Sequence, residues 1–395
     1  MRLSACFREG LRGSAVDGAV DGAVEGAGRR RARTLLVLNW RDPWHPEGGG
    51  SELYVAEVAQ RLREPGVRVV VFTALYAGAA RDEVREGIRY VRRGGRLTVY
   101  LWAAMFLLTR SFDRVDDVLE VQNGMPFLAR LFTRAQVTIL VHHVHREQWS
   151  IVGPVLARVG WFMESKVAVR VNHGSRYVTV SDVTRTELVE LGVRAADITI
   201  AWNGMSEAPP HTPLPESLDP HLVMLVRLVP HKRVEHALEV VAALRSRHPD
   251  IRLTVMGSGW WESHLLDRRA ELGLEHVVDF LGHVSEQTKF EVLTSAWVHL
   301  LPSVKEGWGL SIMEAAHVGV PSVAYADAGG VRESILDGVT GLLAADLPDF
   351  VERVDQLLAD TALRRELGAK ARIRSEQFTW DATAATIGWV LGVRP

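Results

Sequence analysis

Two runs of alternating strand-like and helix-like segments, separated by the stretch GMSEAPPHTPLPESLDP at residues 204–220, constrain this chain more than any other feature. The first run opens with TLLVLN (34–39), a continuous apolar segment of the kind a strand buried on both faces requires. A glycine-rich turn (48–50), a helical pattern (52–62) and a second apolar run (67–72) follow, which is a βαβ unit. QVTILVHH (136–143), YVTVS (177–181) and ITIAWN (198–203) continue the series. The intervening stretch carries five prolines, little apolar content and no periodicity, as an inter-domain linker does. A second series starts beyond it: strand-like runs at 221–228, 251–257, 277–282, 297–303 and 320–326, with helical patterns at 234–247 and 310–318. The expected fold class is α/β, with two doubly wound parallel-sheet, Rossmann-like domains facing a central cleft. The expected division is a disordered tail (1–33), an N-terminal domain (34–204), a linker (205–220) and a C-terminal domain (221–377). A final helix (378–395) should cross back to the N-terminal domain.

A length of 395 residues exceeds what one hydrophobic core usually organises, which agrees with two domains. The net charge of -2 supplies no field for attracting nucleic acid, so no such partner is expected. The single cysteine, Cys6, excludes an internal disulfide and a cysteine-based zinc site, and fits a reducing, cytoplasmic setting. The longest apolar run, 101–108, is far shorter than the ~20 residues a membrane-spanning helix needs. The N-terminal repeat DGAVDGAVEGAG has too little apolar bulk to offset the entropy of ordering.

In open α/β sheets ligands bind beyond the carboxyl ends of the strands. The second domain concentrates its polar residues there. WVHLLPS leads into KEGWGLSIMEAAHVG, where Gly307 and Gly309 permit a tight turn and a helix begins near Leu310. The free N–H groups of a helix start, backed by its dipole, suit an anion. Glu306 precedes that helix and Glu314 lies a turn inside it; carboxylates accept hydrogen bonds from sugar hydroxyls. Arg227 and Lys232 follow the strand at 221–226 and suit a diphosphate, the one by its planar fork and the other as a point charge. A phosphate flanked by hydroxyl-bearing sugars is a sugar nucleotide. Gly257 and Gly259 in VMGSGWWE fit a dinucleotide fingerprint poorly, since Glu262 takes the third glycine's place.

The stretch 280–343 resembles the nucleotide-sugar half of retaining GT-B glycosyltransferases of the family 4 type. The spacing of Glu306 and Glu314 matches that family's paired-glutamate motif, Arg227 and Lys232 its phosphate pair, and Gly329, Gly330 and Glu333 a later loop. Gly49, Gly50, Ser51 and Glu52 resemble its glycine loop, and the likeness extends from Thr34 to the C-terminus. The resemblance implies that Glu314 holds the nucleotide ribose and Glu306 the transferred sugar. Backbone amides of Gly307, Trp308, Gly309 and Leu310, with Gly49 and Gly50, would meet the sugar or phosphate. Arg227 and Lys232 would neutralise the diphosphate leaving group. It also places a histidine beside the donor sugar; His142, His143 and His145 are the candidates, and the strand alignment favours His142. Ser206 and Trp308 depart from the usual Asp and Phe.

The expected activity is therefore transfer of a hexose such as mannose or glucose, with retention, from a UDP- or GDP-sugar to a glycan, lipid or small-molecule acceptor. No metal is expected, since no paired-aspartate motif stands at a strand end, and no cofactor beyond the donor as co-substrate. A sugar-nucleotide epimerase or a non-catalytic nucleotide-sugar-binding protein on the same scaffold are the alternatives. Residues 97–110 are strongly apolar and 154–176 mix apolar and basic residues, so each reads either as a domain helix or as a peripheral contact with anionic membrane. The bases would be read by backbone near 257–260 and 280–284.

Overall fold

Leu35, Leu36, Val37 and Leu38 are all buried, as the unbroken apolar run demands, because they form the centre of a sheet covered by helices on both faces. The computed structural model describes residues 32–63, 66–109, 114–146, 148–149, 153–206, 208 and 213–393. The first sheet comprises β1 (Arg33–Leu38), β2 (Val67–Thr73), β3 (Asp82–Arg85), β4 (Ile88–Arg92), β5 (Asp117–Gln122), β6 (Gln136–Val141), β7 (Arg176–Thr179) and β8 (Ile198–Ile200). Their order is β3-β4-β2-β1-β5-β6-β7-β8, parallel throughout except for the antiparallel edge pair β3–β4. Its helices are α1 (Gly50–Leu62), α2 (Val99–Leu108), α3 (Pro154–Phe162) and α4 (Asp182–Glu190). From α3 the chain passes through a π-helical stretch (Met163–Ala168) into a last turn (Val169–Val171).

The second sheet, β9 (His221–Leu225), β10 (Arg252–Met256), β11 (Val278–Gly282), β12 (Val298–Leu301), β13 (Ser322–Tyr325) and β14 (Gly341–Ala344), has the order β11-β10-β9-β12-β13-β14 and is parallel. Helices α5 (Val234–Leu244), α6 (Glu262–Glu271), α7 (Glu286–Ser295), α8 (Leu310–His317), α9 (Val331–Ser334), α10 (Leu347–Ala359) and α11 (Thr361–Ser375) accompany it. The last helix, α12 (Trp380–Leu391), returns to the first domain and packs on α1, β6 and β7.

The return is held by apolar burial and by paired polar groups. Trp380 is 1% exposed and meets Tyr54 of α1 edge-on at 5.5 Å. Its indole N–H donates to the Ser206 hydroxyl at 2.9 Å, and Thr383 donates to the Trp202 carbonyl at 2.7 Å. A Cβ on Gly204 would lie 2.2 Å from the Trp380 nitrogen, so only glycine lets the crossing segments touch. Ser206, which departs from the usual aspartate, thus serves this junction.

Three elements differ from the sequence reading. β1 begins at Arg33, inside the stretch assigned to the tail, because its guanidinium pairs with Asp117 at 2.5 Å; residues 1–31 lie outside the described residues. β5, in the middle of the first sheet, carries Asp117 and Glu120 and so lacks the apolar run of its neighbours. Glu120 is buried because it accepts backbone N–H bonds from Phe127, Leu128 and Ala129 at 2.8–3.0 Å. The β3–β4 hairpin is anchored by Arg92, whose ion pair with Asp42 at 2.5 Å is buried on both sides.

Trp380→Ala removes the largest fully buried side chain and should cost about 3–5 kcal/mol, read as a fall in the denaturant midpoint. A loss within about 0.5 kcal/mol, the range of ordinary surface changes, would mean that α12 is not structurally coupled to α1.

Candidate active site

Among the parallel strands of each sheet the order reverses at one position: beside β1 in the first, beside β9 in the second. The loops beyond these two strands are therefore the natural ligand sites, and they face each other. The Arg227 guanidinium, beyond β9, reaches the Glu47 carbonyl at 3.5 Å; its Nε lies 3.5 Å from where a Cβ on Gly49 would stand. A Cβ on Gly50 would lie 2.7 Å from Leu310 at the start of α8. The glycine loop and the helix start that the sequence singled out are in contact across the cleft.

Arg227 is fixed by backbone on both sides. Val226 donates to the Met256 carbonyl and Leu228 to that of Ser258, both at 3.0 Å. Gly257 and Gly259 lie so close that a Cβ would stand 1.9 Å from Val226 O and 2.1 Å from Leu228 O. These two glycines therefore seat the Arg227 loop.

Lys232 ends a 3-10 turn (Pro230–Lys232) joined to the loop beyond β12 by the Val304 N–H to His231 carbonyl bond at 2.8 Å. Its ammonium lies 2.5 Å from Glu306 Oε1, with both side chains largely buried. Burial pushes the Glu306 carboxyl up, but the charge and hydrogen bond of Lys232 outweigh it and hold Glu306 below the ordinary carboxylate range. The Glu306 backbone is clamped between Ala328 and Gly330, its N–H donating to the one and its carbonyl accepting from the other at 3.0 Å. Gly307 abuts the first domain: a Cβ there would stand 2.4 Å from the His142 carbonyl oxygen. Trp308 is buried and packs on Phe378 at 4.9 Å. Gly309 takes the left-handed conformation (φ 92°) that opens α8 at Leu310.

Glu314 lies inside α8, away from Glu306, and pairs with Lys289 of α7 at 2.6 Å. Lys289 also reaches Glu286 at 2.6 Å. Burial works to lower the Lys289 ammonium, yet the two glutamates hold it above the usual lysine value. A cleft of about 350 Å³ opens here, lined among others by Leu53, Glu57, Met205, Lys289, Leu310 and Glu314. Sequence reasoning missed Lys289; nothing in SEQTKFE distinguishes it from a solvated helix lysine until α7 and α8 are packed together.

The three histidines separate clearly. His142 is buried, meets Tyr54 edge-on at 5.0 Å, and its Nε2 has no partner. Burial, with His145 nearby, pushes it down to about 3, so it is neutral at physiological pH. His143 packs against His145, ring centroids 4.2 Å apart, and burial, then the charges of His145 and His142, push it well below the usual value. His145 bonds to Glu164 at 3.1 Å, and Glu164 also accepts from Trp149 at 2.7 Å. Glu333 reaches across the domains too, accepting from the Asp182 and Val183 N–H groups that open α4, at 2.7 and 3.2 Å.

Two doubly wound sheets meeting at their switch points, with paired carboxylates and cations on one wall, define the GT-B fold. The family model of glycosyl transferases group 1 matches residues 213–374, and that of glycosyltransferase family 4 matches residues 48–208. Glycogen synthase of Mycobacterium tuberculosis (strain ATCC 25618 / H37Rv) is 30% identical over 90% of this chain and 94% of its own length. D-inositol 3-phosphate glycosyltransferase of Salinispora arenicola is 29% identical over 92% of each. Among solved structures, sucrose-phosphate synthase of Thermosynechococcus elongatus superposes with a TM-score of 0.79 at 18% identity, over 91% of this chain and 98% of that one. Anabaena Alr3699/HepE in complex with UDP-glucose gives 0.72 at 19%, over 91% and 99%. The chain belongs to the group 1, family 4 type glycosyltransferases, and it is a transferase enzyme.

The Glu306 shift has a definite sign. Its folded value lies below the ordinary one, so the Lys232 pairing stabilises the fold above the ordinary carboxylate pKa and is lost as pH falls through the folded value. Lys232→Met removes the main influence opposing burial and should move the Glu306 midpoint upward, as followed by carboxyl carbon NMR titration. An unchanged midpoint would dissociate the two residues.

Proposed function

We propose that this chain transfers a hexose, with retention of anomeric configuration, from a UDP- or GDP-sugar bound in the second domain. The Lys232–Glu306 pair beside Arg227 carries the reading: a fixed cation and an ionised carboxylate share one buried locus at a switch point. Breaking the bond between the anomeric carbon and the phosphate oxygen leaves negative charge on the β-phosphate, which preorganised Lys232 and Arg227 stabilise most strongly in the transition state. Glu306 accepts from the sugar's hydroxyls. The amides of Gly307, Trp308, Gly309 and Leu310 line the phosphate side, with the helix start behind them.

Glu314 accepts from the ribose hydroxyls, aimed by its hydrogen bond from Lys289. His142 remains the donor-facing histidine of this reading, its neutral ring and unpartnered Nε2 leaving it free to bond a sugar hydroxyl. Gly49 and Gly50 let backbone approach from the first domain. The Anabaena neighbour's complex with UDP-glucose supports a nucleotide sugar as the donor class. No metal is assigned to the reaction in this reading, because Arg227 and Lys232 supply the countercharge.

A lipid-surface acceptor has its own observation. The segment from α3 to Val171 exposes Val155, Leu156, Val159 and Phe162, followed by exposed Lys166 and Arg170, while its one acidic residue, Glu164, is buried. α2 covers the same face of the first sheet and exposes Leu101 and Leu108. No helix among the described residues is long and apolar enough to cross a membrane. An apolar helix face with a cationic end suits peripheral binding to anionic lipid at the cytoplasmic face.

In a thermal-shift panel of UDP- and GDP-sugars, the true donor at 100 times its Kd should stabilise the fold by about 2.7 kcal/mol. Lys232→Ala and Glu306→Gln should abolish transfer while the far-UV spectrum stays native; full turnover in both refutes the site. Donor conversion without any acceptor would instead indicate an epimerase. Vesicles with anionic lipid should co-sediment the protein in a salt-sensitive manner, and Phe162→Asp should release it. Absence of binding at low salt ends the membrane reading.

A further inference from the structure

The His145–Glu164 contact is built from a feature of the fold that neither the motifs nor the donor reading uses. α3 exposes its apolar residues as far as Phe162, and the π-helical stretch that follows buries Glu164 and Ser165. π-helical turns are rare, and they concentrate at functional sites. Glu164 is 1% exposed, and both of its oxygens are held. Oε1 accepts from the His145 backbone N–H and from its ring Nδ1, each at 3.1 Å, and Oε2 accepts from the Trp149 indole at 2.7 Å. Trp149 is wedged in turn: a Cβ on Gly160 would stand 2.3 Å from its ring, and one on Gly124 3.1 Å. Among the described residues the one ion pair of Glu164 is with His145.

A carboxylate only accepts, so in the neutral imidazole the proton sits on Nδ1 and Nε2 keeps the free lone pair. The carboxylate is closed off from water, whereas the His145 side chain keeps 16% of its surface open. A buried carboxylate on the far nitrogen fixes the ring and stabilises the imidazolium that forms when Nε2 takes a proton. Packing alone does not ask for a carboxylate here, since a neutral amide would accept from Trp149 as well.

The ring lies at the donor site. A Cβ on Gly307 would stand 2.4 Å from the His142 carbonyl oxygen, so the 142–145 segment abuts the loop that carries Glu306. On its own segment His145 packs on His143, ring centroids 4.2 Å apart, and it adds to burial in pushing His142 down. Across the cleft His231 is pushed down to about 4 by burial and then by Lys232, with His145 among the further charges acting on it. Arg146, next in the chain, is taken up by the Trp161 ring at 5.7 Å. His145 is thus within electrostatic reach of both the donor-facing His142 and the neighbour of Lys232.

We propose that His145, oriented by Glu164, is the general base that takes the proton of the acceptor hydroxyl. As the acceptor oxygen bonds to the anomeric carbon, its proton passes to His145 Nε2. The bond from that carbon to the phosphate oxygen breaks, and its electron pair leaves with the nucleoside diphosphate that Arg227 and Lys232 hold. The imidazolium then releases its proton to water. Retention requires the acceptor oxygen to enter on the face from which the diphosphate departs, which in the donor reading is the Lys232 side. Glu164 touches no substrate and is a positioning residue. The inference rests on that donor reading.

The test uses water as the acceptor. Whichever of UDP-glucose and GDP-mannose stabilises the full chain by thermal shift is incubated with it, and nucleotide release is followed against pH. The wild-type rate should exceed that in buffer and fall toward acid pH, as a base that must be unprotonated requires. His145→Ala should lower the rate about a hundredfold or more, abolish the acid limb and bind the nucleotide sugar as before. Added imidazole should restore part of its rate. Glu164→Gln, which keeps an acceptor for Trp149, should lower the rate roughly tenfold or more through loss of ring orientation. The proposal is overturned if both variants keep the wild-type rate, if the acid limb survives in His145→Ala, or if imidazole restores nothing. Those are the outcomes when the donor's own phosphate takes the proton or the pair only packs α3. A wild-type rate no faster than in buffer overturns it as well, since a base at the anomeric carbon activates water. Failure of both nucleotide sugars to bind would instead remove the donor reading.

Discussion

The cleft depends on backbone meeting backbone across the two domains at positions where no side chain fits. Gly307 lies against the His142 carbonyl across the domains, with a would-be Cβ at 2.4 Å, and within the second domain Gly330 lies against the Gly307 carbonyl, with a would-be Cβ at 2.0 Å. Gly50 meets the tip of the Leu310 side chain. A methyl group at Gly307 or Gly330 would force these loops apart, and the cations of one domain would no longer face the glycine loop of the other. Around these close approaches lie longer-range latches: Glu333 caps α4, and Lys305 forms an ion pair with Glu187. α12 ties the returning chain to α1.

Electrostatics in the cleft follows from that proximity. Lys232 and Glu306 are each largely buried, and neither is tolerable without the other. Lys289 stands likewise between Glu286 and Glu314. A carboxylate held ionised by a neighbouring ammonium keeps its acceptor lone pairs while shedding the cost of isolated charge. Such a group can take hydrogen bonds from a hydroxylated ligand without reorganising, which preorganised catalysis requires.

Much of this was legible in the residues. The unbroken apolar runs named most of the parallel strands, and the prolines of 204–220 marked the join. Glycines at 307, 309 and 329 with the glutamates eight residues apart marked the donor loop. What escaped did so for identifiable reasons. β5 hid because Asp117 and Glu120 interrupt its apolar pattern, and both are satisfied by partners distant in sequence, Arg33 and the 127–129 amides. Gly257 and Gly259 looked like a weak dinucleotide fingerprint, although their closeness to Val226 and Leu228 is what seats Arg227.

The sequence by itself determined the fold class, the family and the residues most able to meet a sugar nucleotide, because these depend on local periodicity and on short motifs within single loops. Only the tertiary structure decided which charges share a locus: Lys289 with Glu314, Lys232 with Glu306, Lys305 with Glu187. Those pairings join residues from 25 to 118 apart in the chain, and Coulomb energy depends on distance through space and on burial, neither of which a linear pattern records. The same holds for His142, His143 and His145, close in sequence yet packed on Tyr54, on the His145 ring and on Glu164 respectively.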